Sequence, residues 1–72
     1  MKNVTLEDCH KLEKKAWKCY NKYHNSILLY HIITFSDLLN GWSEEGINQK
    51  EANYYYDLIS NIVDQEERKH KN

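Results

Sequence analysis

The stretch "NSILLYHIITFSDLLNGW" occupies residues 25–42 of a 72-residue chain whose mean hydropathy is −0.91. Nine of the thirteen residues from Ile27 to Leu39 are apolar. Such a concentration suits a membrane span, a buried core helix, or a surface that meets a partner. A span needs about 18 to 20 largely uncharged apolar residues. Here His31, Thr34, Ser36 and Asp37 interrupt the run, and Asn40–Gly41 predicts a helix stop. The segment is too short to span. It reads as a helix, Ser26–Asn40, that is hydrophobic on nearly every side and must bury itself in a core or against another molecule.

Outward from it, each flank reads as an amphipathic helix. Thr5 is placed to cap a helix over Leu6–His24, with Glu7 and Asp8 in the acidic first turn. At helical spacing Cys9, Leu12, Ala16, Tyr20, Tyr23 and Ile27 form one narrow stripe, with Cys19 near its edge. Asn25–Ser26 is the joint. Asn can close one helix in the left-handed conformation and Ser can cap the next; the stripe running on through Ile27 and Tyr30 leaves one continuous helix as the alternative. After the loop "GWSEEGI", Asn48 and Glu51 have the spacing of a capping box opening a helix over Gln49–Lys69. Its stripe is Ala52, Tyr55, Tyr56, Ile59, Ile62 and Val63, and the polar tail 66–72 is expected to fray.

The expected fold is therefore all-α. Three helices form a helical hairpin or three-helix bundle within a single small domain, 1–72. Two single stripes do not obviously cover a middle helix that is apolar all round. Homodimerisation is the simplest cover for an open side, and an uncovered patch would mark an interaction site.

Charge narrows the function classes. Formal net charge is −1, but residues 1–25 net +3, residues 26–46 net −3 and the remainder −1. Lys11, Lys14, Lys15, Lys18 and Lys22 make a basic face that could follow a phosphate backbone. Against nucleic-acid binding stand a single arginine and a middle helix too apolar to read base edges. After Met1–Lys2 no apolar signal stretch follows, which points to a cytoplasmic protein with no membrane attachment. The richness in Lys, Asn, Ile and Tyr suggests an AT-rich genome, and the small size fits a phage or mobile element.

No motif carries chemistry. There is no glycine-rich phosphate loop, no serine elbow and no HExxH, so neither an enzyme nor a cofactor is expected. Cys9 and Cys19, with nine residues between them, have a spacing similar to that of the mitochondrial coiled-coil-helix-coiled-coil-helix family. That family staples a helical hairpin with two such pairs; one pair alone leaves the staple without partners. On one helix the two thiols lie about 15 Å apart, beyond disulfide reach. Cys9, His10, Cys19, His24, His31 and His70 lack the close pairs of a structural zinc site, so no metal is expected.

Six tyrosines and two tryptophans are the remaining signal. Tyr and Trp are favoured interface anchors because they combine large area with a polar handle. The sequence therefore predicts a small non-enzymatic protein-binding module: a regulator, inhibitor or adaptor. Its partner-binding candidates are Trp42 in the loop, Tyr54 off the third stripe, and Tyr30, Phe35 and Leu38 on the middle helix. A nucleic-acid-associated regulator and a structural homo-oligomer are the alternatives.

Overall fold

Thr5 begins the first helix as the sequence predicts. In the computed structural model, which describes residues 3–71, its hydroxyl accepts from the Asp8 backbone at 3.1 Å, and the Asp8 carboxylate accepts from the Thr5 backbone at 3.1 Å. This is a capping box closed by the shorter acid. The described residues form α1 (Leu6–Tyr23), α2 (Ser26–Glu45) and α3 (Gln49–Lys69), with no strand among them. The all-α, three-helix reading holds.

The joint between the first two helices is a true break, displaced one residue from its expected place. His24, not Asn25, takes the left-handed conformation (φ 56°, ψ 39°), and its amide donates to the Tyr20 carbonyl. Asn25, not Ser26, is the cap of α2; its side-chain oxygen accepts from Ile27 at 2.9 Å and Leu28 at 3.2 Å. One side-chain oxygen thus satisfies two of the amides that the start of α2 leaves without a helical partner.

The far end of α2 departs further from expectation. Asn40–Gly41 does not stop the helix, which continues to Glu45 and closes at Gly46 with φ +104°. Trp42 is consequently helical and buried, not a loop residue. The buried positions Leu28, Ile32, Phe35, Leu39 and Trp42 are separated by four, three, four and three residues. That seam needs Trp42 as its last member, and burial of the indole outweighs the modest cost of a glycine inside a helix.

Three ties set the topology. Ser36 donates its hydroxyl to the Glu13 carboxylate, joining the midpoints of α1 and α2 as an antiparallel hairpin. At the chain's start, Val4 donates to the Asn53 side chain at 3.1 Å and Gln49 donates to the Val4 carbonyl at 2.8 Å. At the other end, the Asn25 amide donates to Glu66 at 2.9 Å. The beginnings of α1 and α3 thus meet, as do their ends, and the bundle runs up, down, up. It measures 41 × 24 × 16 Å.

The core explains why one helix carries so much apolar bulk. α1 contributes Cys9, Leu12, Ala16 and Cys19, and α3 contributes Ala52, Ile59 and Val63. Several of these are small, so the volume is filled from α2 by Leu28, Ile32, Phe35, Leu39 and Trp42. Phe35 and Trp42 meet edge to face at 6.2 Å. Tyr20, Tyr23, Tyr55, Tyr56 and Ile62 from the expected stripes are half-buried around this centre, whereas Ile27 starts a new helix and faces out.

α3 ends where the sequence places it, and its polar tail is tied to the bundle. α3 remains helical to Lys69, and Glu66 is buried at 7% exposure. Its carboxylate receives the Asn25 amide and lies 3.4 Å from His70 Nε2 and 3.9 Å from Lys69 Nζ. The His70 ring stacks flat on Tyr23 at 4.0 Å. A buried carboxylate needs such donors, and they hold the last turn in place. Asn72, the end of that tail, lies outside the described residues, as does Lys2 of the basic first segment.

Candidate interaction surface

The seam that buries five α2 residues determines what the same helix leaves outside. At about 100° per residue, Ile27, Tyr30 and Ile33 fall on the side away from Leu28, Ile32, Phe35, Leu39 and Trp42. Their exposures are 65%, 68% and 51%. The remaining large exposed hydrophobic among the described residues is Tyr54, at 63%, on α3. Three such side chains within seven residues of one helix form a cluster rather than scattered surface. Tyr30 meets His31 edge to face at 5.4 Å, and Thr34 turns its hydroxyl back to the Tyr30 carbonyl at 3.2 Å. That bond satisfies the hydroxyl within the helix and leaves the neighbouring surface less polar.

The candidate anchors separate into two groups. Tyr30 and Tyr54 are exposed. Phe35 is fully buried and Trp42 is 6% exposed, so both are core residues, and only an edge of Trp42 reaches the surface. Leu38 is half-buried and lines a cleft of about 480 Å³ with Trp42, Ile47 and Glu51, where α2 turns into α3. Ile33 is not among the sequence-based candidates, and Ile27, expected on the inward stripe, lies here on the surface instead. The signal was present: once the alternating four-three spacing through Trp42 is recognised, the residues opposite it can be named.

The lysine face is as continuous as its spacing predicts. Lys11, Lys14, Lys15, Lys18 and Lys22 are all exposed, within about 100° of arc on α1. Acidic groups share that side. Lys11 Nζ lies 3.7 Å from Glu7, and Lys11 and Lys15 border a 350 Å³ groove whose opposite wall carries Tyr56, Ser60, Asn61 and Asp64. Lys22 sits over the Tyr23 ring at 5.3 Å.

The nucleophiles and metal-binding side chains are dispersed. Both thiols are free and buried. Burial, reinforced by Asp8, pushes the Cys9 thiol up to about 11. Burial, followed by Glu67 and Glu66, also raises Cys19. Both are thus held as protonated thiols, poor as nucleophiles or metal ligands. His10 lies 3.8 Å from Glu13, whose carboxylate already receives Ser36. Among the described residues no three His, Cys, Asp or Glu side chains gather as a metal site would require, and no helix is long and apolar enough to cross a membrane. Comparison with protein-family models, with curated proteins and with solved structures finds no match to this chain.

Proposed function

We propose that this protein is a non-enzymatic protein-binding module, a small regulator, inhibitor or adaptor, whose contact surface is the outer face of α2. The observation that carries this reading is the exposed Ile27–Tyr30–Ile33 cluster on a helix whose opposite side already completes the core. Helical faces read at such spacing are a recurrent mode of recognition between proteins. Tyr54 is a second anchor on a separate face. Protonated, buried thiols and shallow clefts between helices favour binding over catalysis, and two free cysteines suit a reducing compartment such as the cytoplasm. The test is capture from the native host, read by mass spectrometry, comparing the parent with Ile33→Glu. This residue is half exposed, so the variant should keep its helical content and melting temperature while losing the partner. Equal recovery by both proteins would remove the α2 face from consideration.

A second reading rests on the unbroken lysine arc of α1. If it binds nucleic acid, affinity should fall steeply with salt, and Lys14→Glu with Lys18→Glu should abolish it. The acidic groups at the edge of the arc make weak, salt-labile and sequence-indifferent binding the expected result.

A further inference from the structure

We propose that a second copy of this chain occupies the Ile27–Tyr30–Ile33 face, through an antiparallel α2–α2 contact centred on Tyr30. The acidic second half of each α2 then lies along the basic end of the other copy. The inference rests on the protein-binding reading and names the partner.

The arrangement follows from how the outer face changes along α2. Its apolar part ends at Ile33. Beyond it the exposed positions are Asp37, Asn40, Gly41, Ser43, Glu44 and Glu45, and α2 contains no lysine or arginine. A parallel pairing would set Asp37 against Asp37 and Glu44 against Glu44, which like-charge repulsion disfavours. An antiparallel pairing about the middle of α2 would set Glu44 against Ile27, burying charge against hydrocarbon. Crossing at Tyr30 avoids both. Tyr30 then meets Tyr30, Ile27 meets Ile33 twice, and the contact closes on itself as a two-fold dimer.

This crossing is off-centre, because Tyr30 is four residues from the start of α2 and fifteen from its end. At 1.5 Å per residue Asp37 lies about 10 Å past the crossing and Glu44 about 21 Å, while the other copy's α2 ends after about 6 Å. The acids therefore overhang the turn where α1 ends, α2 begins and α3 ends. That end carries His24, Lys22, Lys69, His70 and Lys71. Lys69 is close to α2, since it approaches Glu66, which Asn25 also contacts. Of the acids at this end, Asp64 pairs with Arg68 at 3.0 Å, Glu66 receives the Asn25 amide with Lys69 and His70 beside it, and Glu67 is exposed, so Lys22, Arg68, Lys69 and Lys71 leave the end with a small positive excess.

The experiment combines sedimentation with site-directed crosslinking of the full chain. Cys9 and Cys19 are buried, so Tyr30→Cys introduces an exposed thiol at the two-fold axis. The parent should sediment as a dimer at micromolar concentration, and oxidised Tyr30→Cys should form a disulfide-linked dimer far faster than Tyr54→Cys. Asp37→Lys should weaken association roughly tenfold or more, with partial recovery when combined with Lys69→Glu. Crosslinking at Tyr54→Cys as fast as at Tyr30→Cys, or an Asp37→Lys chain that associates like the parent, would overturn the proposal. A chain that stays monomeric through the whole micromolar range would overturn it too. In that case the protein-binding reading survives if Ile33→Glu still abolishes capture of a host protein, and falls with it if Ile33→Glu changes nothing.

Discussion

Trp42 and Tyr54 show how differently two aromatic residues of similar promise are used. Trp42 packs edge to face on Phe35 at 6.2 Å within the core. Trp42→Ala should destabilise the chain by about 3 to 5 kcal/mol, as large aromatic truncations in cores do. Tyr54 is 63% exposed and meets only the ring of Tyr55 among the aromatics described here. Tyr54→Ala should stay within about 0.5 kcal/mol of the parent. Urea melts of the two variants separate these outcomes. Cys9 offers a test through pH. Its thiol is raised to about 11 in the fold against an ordinary 9.0, so between those values the unfolded chain holds fewer protons than the native one. Stability is therefore present in full below pH 9 and declines as pH rises toward about 11. In Cys9→Ala that portion of the alkaline decline should disappear, measured as the urea midpoint against pH for both chains.

The helices are set by their ends and by one tolerated flaw. Asn25 caps α2 with its oxygen while donating its amide to buried Glu66 at 2.9 Å. Asn25→Ser keeps a cap and loses the tie, and should cost about 1 kcal/mol. Asn25→Asp also keeps a cap but sets a second carboxylate against a buried one, and should cost more, about 2 to 3 kcal/mol at neutral pH. The gap between the two variants should close in acid, where one carboxyl becomes neutral; thermal melts at two pH values would show it. Gly41 lies inside α2 with open space where a Cβ would be. Gly41→Ala should stabilise the chain at dilution by about 1 kcal/mol, the usual difference between these residues in a helix. Had Gly41 been the helix terminus, the same substitution would be destabilising. Gly46, at φ +104°, is the position where alanine should be penalised.

At the scale of the molecule, α1 and α3 have no direct connection and are brought into register by contacts at both ends. The chain's start is clasped by Gln49 and Asn53. Gln49 donates to the Val4 carbonyl and also to Asn53 at 3.0 Å, while Asn53 accepts from Val4. Because the two side chains share one network, their removals should not be additive. A cycle of Gln49→Ala, Asn53→Ala and the double variant should give a coupling of about 0.5 to 1 kcal/mol. Complete additivity would mean that the clasp contributes two independent bonds. The opposite end uses Asn25, Glu66, His70 and Tyr23 for the same purpose. Among the described residues no buried side-chain nitrogen or oxygen is left without a partner, as a small core requires.

By itself the sequence determined the helical class, the number of helices, the Thr5 and Asn48 caps and most of the inward residues, because these depend on spacing and on bonds between near neighbours. Asn48 does accept from the Glu51 amide at 3.2 Å. The sequence did not disclose which side of α2 faces in, since a run apolar on nearly every side has no distinct polar face to orient it. Only the tertiary structure decided that. Small residues on α1 and α3 left room for the seam from Leu28 to Trp42, which drew the helix past Gly41, buried two candidate anchors, and turned Ile27, Tyr30 and Ile33 outward. The burial of Glu66 was likewise beyond local reading. Its environment is assembled by Asn25, 41 residues earlier in the chain, and no spacing rule reaches that far.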